Sequence, residues 1–204
     1  MKILELFAGT GSVGKVAKEL GHEVISLDRD MEADIKTDIL DWSYKTYEPK
    51  TFDLIWASPP CTEYSIAKTT GIRKIEQANE IVKRTLEIIE YFQPRYFIIE
   101  NPQTGLLKKQ VFMTDIPFND IDYCRYGLTY RKRTRLWNNI STWTPRPLCN
   151  KDCEAMTEDH KRHKETAQRM PSGKRNTWGE GRIIKQDELY TVPSALIKEI
   201  LISI

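Results

Sequence analysis

Two residues of the sequence stand where nucleophilic chemistry is expected. Cys61 follows Pro59 and Pro60, and these two prolines come directly after an apolar run at Phe52–Ala57. Prolines at the carboxyl end of a parallel strand fix a rigid, extended turn at the edge where open α/β sheets bind ligands. A second apolar run, RYFIIE, ends in Glu100 at the same predicted edge. The pattern therefore predicts a thiol nucleophile and a carboxyl group within one site.

A glycine-rich turn near the N-terminus, FAGTGSVGKV, follows one predicted strand and begins a helix. Three glycines fit the pattern G-x-G-x-x-G, and they are Gly9, Gly11 and Gly14. The letters nearly fit a P-loop, but Val16 stands where Ser or Thr would bind magnesium, which argues against an NTPase. Asp28, about 20 positions after Gly9, would accept hydrogen bonds from a ribose of the cofactor, and Asp38 would lie beside the cofactor's base. The turn predicts a nucleotide-like cofactor, with NAD and S-adenosylmethionine both open at this point.

The elements that must position these residues alternate between short β-like runs and helical patterns. This alternation predicts an α/β fold with a mostly parallel sheet. The predicted strands are Lys2–Phe7, Glu23–Leu27, Phe52–Ala57 and Tyr96–Glu100, with two more near Asp120–Arg125 and Arg135–Ile140. Helical spacing of apolar residues predicts a helix over Ile72–Phe92, which Pro94 ends, and a last helix near Pro193–Ile202.

Composition and charge are those of a globular protein. The chain has 204 residues, 40% of them apolar, and a formal net charge of +2, which excludes long disorder and collagen-like repeats. No apolar run approaches the roughly 20 residues of a membrane span, and MKILELFAGTG lacks the features of a signal peptide. We therefore expect a soluble, intracellular protein, in which cysteines serve catalysis or metal binding rather than disulfides.

The segment from Thr144 to Gly181 differs from the rest of the chain, because it is rich in charge, Gly and Pro and poor in aliphatic residues. We predict one catalytic domain, residues 1–143 with 183–204, and a small basic, loop-rich extension at 144–182. The extension contains the pattern C-x3-C-x6-H-x2-H, formed by Cys149, Cys153, His160 and His163. This pattern predicts a zinc site that would staple the extension; two incidental thiols and two solvated histidines are the alternative. Cys124 has no apparent partner and is assigned to the core.

Taken together, these motifs resemble those of the C5-cytosine DNA methyltransferase family. In the family's order, FAGTGSVG resembles the cofactor motif, PPCTEYS the nucleophile motif, ENP the Glu-Asn-Val motif and YGLTYRKRTRLW the arginine motif. TVPSALIKEI resembles the family's last helix more weakly, and the arginine motif is similar to that of small phage-type members. The resemblance implies a Rossmann-like, S-adenosylmethionine-dependent methyltransferase fold with helices on both faces of the sheet.

The resemblance also implies roles for individual residues. Cys61 would add to C6 of a flipped-out cytosine, and Glu100 would protonate or hydrogen-bond N3. Arg133 and Arg135 would contact the O2 and phosphate sides of the nucleotide. The residues expected to bind S-adenosylmethionine are Phe7, Ala8, Gly9, Thr10, Gly11, Ser12, Asp28, Asp38 and Pro59. C5 would take the methyl group, and loss of the C5 proton with elimination of Cys61 would complete the reaction.

The chain also departs from the family pattern, which keeps other functions open. Pro102 replaces the usual valine, and Tyr190 and Thr191 replace an Asn-Ser pair near the last helix. About fifty residues stand where DNA enzymes have a larger target-recognition domain. A basic cluster favours contact with nucleic acid, with a merely solvated surface as the alternative. Its residues are Arg125, Arg131, Lys132, Arg133 and Arg135. DNA is the predicted substrate; methylation of tRNA cytosine and a non-catalytic nucleic-acid-binding relative are the alternatives.

Overall fold

The central sheet of the protein explains how distant motifs meet at one edge. The computed structural model describes residues 1–166 and 184–204; residues 167–183 lie outside that description. Within the described residues, a seven-stranded sheet has the order β3-β2-β1-β4-β5-β7-β6. The strands are β1 (Lys2–Leu6), β2 (Glu23–Asp28), β3 (Ile35–Lys36), β4 (Leu54–Ala57), β5 (Tyr96–Pro102), β6 (Phe118–Asp122) and β7 (Arg133–Asn138). The helices are α1 (Ser12–Glu19), α2 (Ile75–Phe92), α3 (Gln186–Tyr190) and α4 (Ser194–Ser203).

The pairing of the strands confirms the predicted α/β class and its mostly parallel sheet. Strands β1 to β5 pair with one another in parallel. Strand β7 is antiparallel to both of its neighbours, β5 and β6. Antiparallel pairing is therefore confined to one end of the sheet, where β7 lies between β5 and β6.

Two hydrophobic cores cover the two faces of the sheet. In β4, Leu54 and Trp56 belong to one core, while Ile55 and Ala57 belong to the other, and all four are fully buried. Successive side chains of a strand point to opposite faces, so an all-apolar strand such as LIWA must be covered on both sides. Helices α1 and α4 pack in the first core and α2 packs in the second. The predicted placement of helices on both faces is confirmed.

Helix α2 begins at Ile75, three residues later than the predicted Ile72. The guanidinium group of Arg73 donates hydrogen bonds to the backbone carbonyls of Glu63, Ser65 and Lys68, at 2.6 to 3.0 Å. These bonds hold the segment before the helix as a loop that folds back toward the residues after Cys61, which the periodicity of the sequence does not reveal.

The carboxyl edge of the sheet opens between β1 and β4. Helix α1 connects β1 to β2 on one face and α2 connects β4 to β5 on the other, so the connections diverge at this point. A crevice at such a switch point is the usual ligand site of an open α/β sheet. The glycine turn after β1 fits this crevice because Phe7, Gly9 and Gly11 all have positive φ angles, of 61°, 52° and 67°. The positive φ of Phe7 is sterically costly, and such strain is concentrated at functional sites.

The hairpin of β6 and β7 differs in its bounds from the sequence prediction. A strand was expected near Asp120–Arg125, whereas β6 ends at Asp122 and a 3-10 turn follows at Tyr123–Tyr126. The C-terminal segment returns to the glycine turn, where the Val192 N–H donates to the Ser12 hydroxyl at 3.2 Å. The last helix, α4, occupies nearly its predicted position.

The described part of the extension, residues 144–166, contains no helix, and its β-structure is one isolated bridge between Met156 and His163. A small cluster separate from both main cores holds it together: Cys124, Cys149, Cys153, Ala155 and Met156. Five Lys and Arg residues balance five Asp and Glu residues in this part, so the predicted basic excess falls on residues outside the description. No membrane-spanning candidate occurs among the described helices. The proposed domain boundaries remain a prediction.

Candidate active site

A cavity of about 480 Å³ lies at the carboxyl edge of the sheet. Five residues of the glycine turn line it, namely Phe7, Ala8, Gly9, Thr10 and Ser12. Gly11, which was predicted with them, is not part of the wall: its N–H donates to the Ala8 carbonyl at 2.7 Å, and it stands directly before α1. The hydroxyl of Thr10 is buried and has no hydrogen-bond partner within the described residues. The cavity therefore offers a polar group that a ligand can satisfy.

The two predicted ribose and base contacts, Asp28 and Asp38, also line the cavity, as does Pro59. Asp28 already accepts three backbone hydrogen bonds, from the N–H groups of Gly9 at 2.9 Å and of Asp30 and Met31 at 2.8 Å each. A carboxylate can accept about four hydrogen bonds, so Asp28 fixes the glycine turn and retains capacity for a ligand hydroxyl.

Glu5 is a cavity residue that sequence reasoning missed. It is 3% exposed, and its carboxylate accepts a hydrogen bond from the Gly14 N–H at 2.9 Å. A Cβ at position 14 would lie 2.6 Å from that carboxylate, so the close approach requires glycine there. Burial raises the pKa of Glu5 to about 7, although the N–H groups of Gly14 and Val13 favour its charged form. A buried acid on the strand before the turn is the signal that could have identified it.

Cys61 lies in the same cavity, beyond the two prolines that follow β4. The loop is fixed from β5, because the buried Asn101 amide donates a hydrogen bond to the Pro59 carbonyl at 2.9 Å. Burial raises the pKa of the Cys61 thiol, the Lys132 ammonium lowers it, and the Glu100 carboxylate raises it further. The net result is a thiol whose ionisation depends on the cation beside it.

Glu100 is held at the end of β5 by two residues from the β6–β7 hairpin. It is 6% exposed, and its Oε1 accepts a hydrogen bond from the Tyr123 hydroxyl at 2.8 Å. The Lys132 ammonium lies 3.6 Å from the same oxygen and also donates to the Leu189 carbonyl at 3.0 Å. Glu100, Lys132 and Cys61 all line the cavity. The structure thus places the predicted nucleophile and the predicted acid together, with a lysine as their cation.

Arg133 and Arg135 are not among the residues that line this cavity, and their predicted contacts with the nucleotide stay a prediction. Each forms a paired hydrogen-bond contact with an acid of β6: Arg133 with Asp122 at 2.7 and 3.0 Å, and Arg135 with Asp120 at 2.7 and 2.9 Å. Side chains alternate along β7, and Glu100 is paired with Leu136 in the register of β5 and β7. Leu136 and Thr134 therefore share the face of Glu100, whereas Arg133 and Arg135 point to the opposite face, which Asn101 shares.

Several cations of the predicted basic surface form ion pairs within the described residues. Arg125 forms an ion pair with Asp152 in the extension, at 2.5 Å. Arg133 and Arg135 are paired with acids of β6, and Lys132 lies 3.6 Å from Glu100. Arg131 is an exposed cation of the cluster. The acids that neutralise the arginines come from β6 and the extension, which are separated from the arginine motif in the sequence.

A second cluster lies outside the cavity and differs from the predicted metal set. Possible ligand atoms of Cys124, Cys149, Cys153 and His163 lie within 4.8 Å of one another. His160 is not among them; its Nδ1 lies 3.3 Å from the Lys151 carbonyl, and the residue is exposed. Cys124, assigned to the core from the sequence, takes the fourth position instead. It comes from the 3-10 turn after β6, so local spacing could not reveal it.

Comparison with known proteins shows the family of this chain. The family described as C-5 cytosine-specific DNA methylase matches residues 1–131. The chain belongs to this family. It is 36% identical over 225 residues to the "Probable DNA (cytosine-5)-methyltransferase" of Frog virus 3 (isolate Goorha), an alignment that covers 98% of this chain and 99% of the viral protein.

A solved structure is similar in fold. It is an E. coli protein described as a "putative DNA modification methyltransferase encoded within prophage", and it superposes with a TM-score of 0.51 at 15% sequence identity. The superposition covers 73% of this chain and 52% of the prophage protein, so this chain spans about half of that structure. The likeness supports the methyltransferase fold of this family member.

The position of Lys132 leads to a prediction about the reactivity of Cys61. Burial leaves only a small thiolate fraction at neutral pH, so alkylation of Cys61 by iodoacetamide should accelerate about tenfold per pH unit from pH 7 to 9. The variant Lys132→Gln removes the favourable cation and should move this profile to higher pH by about 0.5–1 unit. Peptide-level mass spectrometry measures the modification at Cys61 alone.

The matched control for that experiment is Arg135→Gln, because it removes a cation of the same motif that is paired with Asp120. It should leave the pH profile of Cys61 unchanged. A profile that responds to Arg135→Gln and not to Lys132→Gln would contradict the geometry described above.

Proposed function

We propose that the protein transfers a methyl group from S-adenosylmethionine to C5 of cytosine in DNA. The observation that carries this proposal is the common cavity of the two motif sets. The glycine turn and Asp28 line one part of it, and Cys61, Glu100 and Lys132 line another. A cofactor on the turn and a base beside the thiol would therefore meet inside one enclosure, as methyl transfer requires.

The cavity suits S-adenosylmethionine in size and charge. Its volume lies in the range of about 300–1,000 Å³ that is typical of small-ligand pockets. Carboxylates of Glu5, Asp28 and Asp38 line it, which favours a ligand with a sulfonium and an ammonium group. The buried hydroxyl of Thr10 provides a hydrogen-bonding group for the polar end of the ligand. When bound, the cofactor supplies an electrophilic methyl group.

The protein's own residues would prepare the cytosine to accept that methyl group. Cytosine C5 is a weak nucleophile until the Cys61 thiolate adds to C6 and breaks the ring's aromaticity. A proton from Glu100 to N3 neutralises the charge that this addition pushes into the ring. Lys132 then acts twice, since it favours the thiolate before addition and lies beside Glu100 during it. After methylation, water accepts the C5 proton, and the electron pair of that C–H bond forms the C5–C6 double bond as the Cys61 thiolate leaves C6. N3 returns its proton to Glu100.

The target base must reach this cavity from a nucleic acid. C6 and N3 of a stacked cytosine are inaccessible to both side chains at once, so the base must be flipped out or already unpaired, at a cost of a few kcal/mol. Phosphate contacts would come from cations near the cavity, of which Arg131 is exposed. The role of residues 144–182 as a small extension in place of a full target-recognition domain is part of this proposal.

We further propose that the Cys124, Cys149, Cys153 and His163 cluster binds a structural zinc ion. The His163 Nε2 lies 3.5 Å from the Cys149 Sγ and 3.4 Å from the Cys153 Sγ. Ligands at zinc distances of about 2.3 Å for sulfur and 2.1 Å for nitrogen are about 3.6 Å apart in a tetrahedron. Cys149 and Cys153 are buried in an extension with little other core, and Cys124 is buried in the turn after β6. A metal that joins them would add folding free energy.

The proposed activity predicts the product of a transfer assay. With methyl-labelled S-adenosylmethionine and duplex DNA, single-stranded DNA and tRNA offered in parallel, label should appear in 5-methyldeoxycytidine after digestion to nucleosides. The variant Cys61→Ser should lose more than about 100-fold in rate, because its hydroxyl is far less nucleophilic than a thiolate. Its affinity for S-adenosylmethionine, measured by calorimetry, should remain within twofold. Label in N4-methylcytosine, or in tRNA alone, would contradict the proposal.

The metal proposal predicts how two histidine variants differ. Purified protein should contain one zinc ion per chain by elemental analysis, and Cys124→Ser or His163→Gln should reduce that content and expose the extension to proteolysis. His160→Gln is the matched control and should retain the metal, since His160 lies outside the cluster. If His160→Gln loses zinc and Cys124→Ser retains it, the proposed ligand set is wrong. The ligands would then be those predicted from sequence spacing, with His160 in place of Cys124.

A further inference from the structure

One short turn of the chain belongs to both the cavity and the cysteine cluster. Tyr123 begins the 3-10 turn after β6; it is fully buried, and its hydroxyl donates to Glu100 Oε1 at 2.8 Å. The next residue, Cys124, contributes its sulfur to the cluster with Cys149, Cys153 and His163. Two consecutive residues therefore join the carboxyl group at the end of β5 to the proposed metal ligands.

The turn is fixed on both sides of this junction. The Tyr123 N–H donates to the Lys132 carbonyl at 3.2 Å. The residue before it, Asp122, is 1% exposed and accepts a hydrogen bond from the Cys149 N–H at 3.0 Å. Asp122 also pairs with Arg133 of β7. A change in the position of Cys124 or Cys149 would consequently be transmitted to the backbone that positions Tyr123.

The hydrogen bond from Tyr123 distinguishes the two oxygens of Glu100. Oε1 accepts from the tyrosine and faces the Lys132 ammonium, at 2.8 and 3.6 Å. Within the described residues, no hydrogen bond to Oε2 accompanies these contacts. A proton that Glu100 delivers to the base is thus directed to Oε2, because the contacts at Oε1 stabilise a lone pair and not an O–H group. The orientation of Tyr123 would then set the direction of proton donation.

We propose that Tyr123 is a positioning residue for Glu100, and that the metal cluster acts on cytosine activation through Tyr123. This inference rests on the proposed function, and it extends the role of the cluster beyond stabilising the extension. Tyr123 makes no bond to substrate in this scheme. It fixes the carboxyl group so that attack of the Cys61 sulfur at C6 coincides with protonation of N3.

The test compares two tyrosines of the same turn. Tyr123→Phe removes the hydroxyl that contacts Glu100, and Tyr126→Phe removes a hydroxyl that accepts a hydrogen bond from the Arg146 N–H at 2.9 Å. Both side chains are buried, so each variant removes one buried hydroxyl from the same turn. The readout is covalent complex formation with DNA containing 5-fluorocytosine, which traps the C6 adduct because fluorine cannot leave as a proton does. Single-turnover measurements at increasing DNA concentration separate the maximal rate from DNA affinity.

We expect Tyr123→Phe to reduce the maximal rate of complex formation about 10–100-fold, a part of what general acid catalysis contributes. Its affinities for DNA and S-adenosylmethionine and its zinc content should stay within twofold of the wild type. Tyr126→Phe should retain the wild-type maximal rate. Equal rates for Tyr123→Phe and the wild type would overturn the positioning role, whereas a wild type that forms no complex at all would instead refute the proposed function.

The link to the metal requires a second comparison, made by removing zinc with a chelator from the folded wild type and from Tyr123→Phe. Elemental analysis follows the metal, and circular dichroism confirms that the sheet domain remains folded. Zinc removal should slow complex formation in the wild type and have a much smaller effect in Tyr123→Phe. If the metal acts through Tyr123, the effects of removing the metal and removing the hydroxyl are not additive. Equal slowing of both proteins, or no slowing of the wild type, would show that the cluster acts independently of Tyr123.

Discussion

The antiparallel pairing of β7 with β5 is the constraint on which both proposed sites depend. In this register Glu100 is paired with Leu136, and the two-residue period of a strand then assigns every side chain of β7 to a face. Lys132 is brought to the cavity, while Arg133 and Arg135 are left to pair with acids of β6. The same hairpin places Tyr123 against Glu100 and Cys124 against the extension. A shift of one residue in this pairing would move Glu100 away from Lys132 and Tyr123.

The electrostatics of the cavity balance burial against a small number of charges. Burial raises the pKa of Cys61 and of Glu5, so both groups favour their neutral forms in the absence of a cation. Lys132 opposes this tendency at Cys61, and a positively charged cofactor beside Glu5 would oppose it there. Cofactor binding and ionisation of Glu5 are therefore expected to favour each other. The folded glycine turn is already held by the carboxylates of Asp28 and Glu5, so little backbone ordering remains when a ligand binds.

The sequence was sufficient for features that are local to one strand end. The parallel strands, the glycine turn and the positions of Cys61 and Glu100 follow from short apolar runs and the residues that end them. The sequence was insufficient where pairing with another strand decides which side chains reach the cavity or the cysteine cluster. The choice between Lys132 and the neighbouring arginines depends on strand register, and Cys124 joins the cluster only because β6 ends at Asp122 and turns. His160 has suitable spacing but occupies an exposed position outside the cluster.

The central claim is that one cavity brings the Cys61 sulfur to a cytosine next to the methyl donor, and identification of the covalent bond tests it most directly. DNA containing 5-fluorocytosine would be incubated with the protein and S-adenosylmethionine, and the trapped complex digested and sequenced by mass spectrometry. The account predicts a single cross-linked peptide in which Cys61 is bonded to a base that has gained one methyl group. Formation of 5-methylcytosine in ordinary DNA without any covalent complex, or a cross-link at another residue, would contradict it.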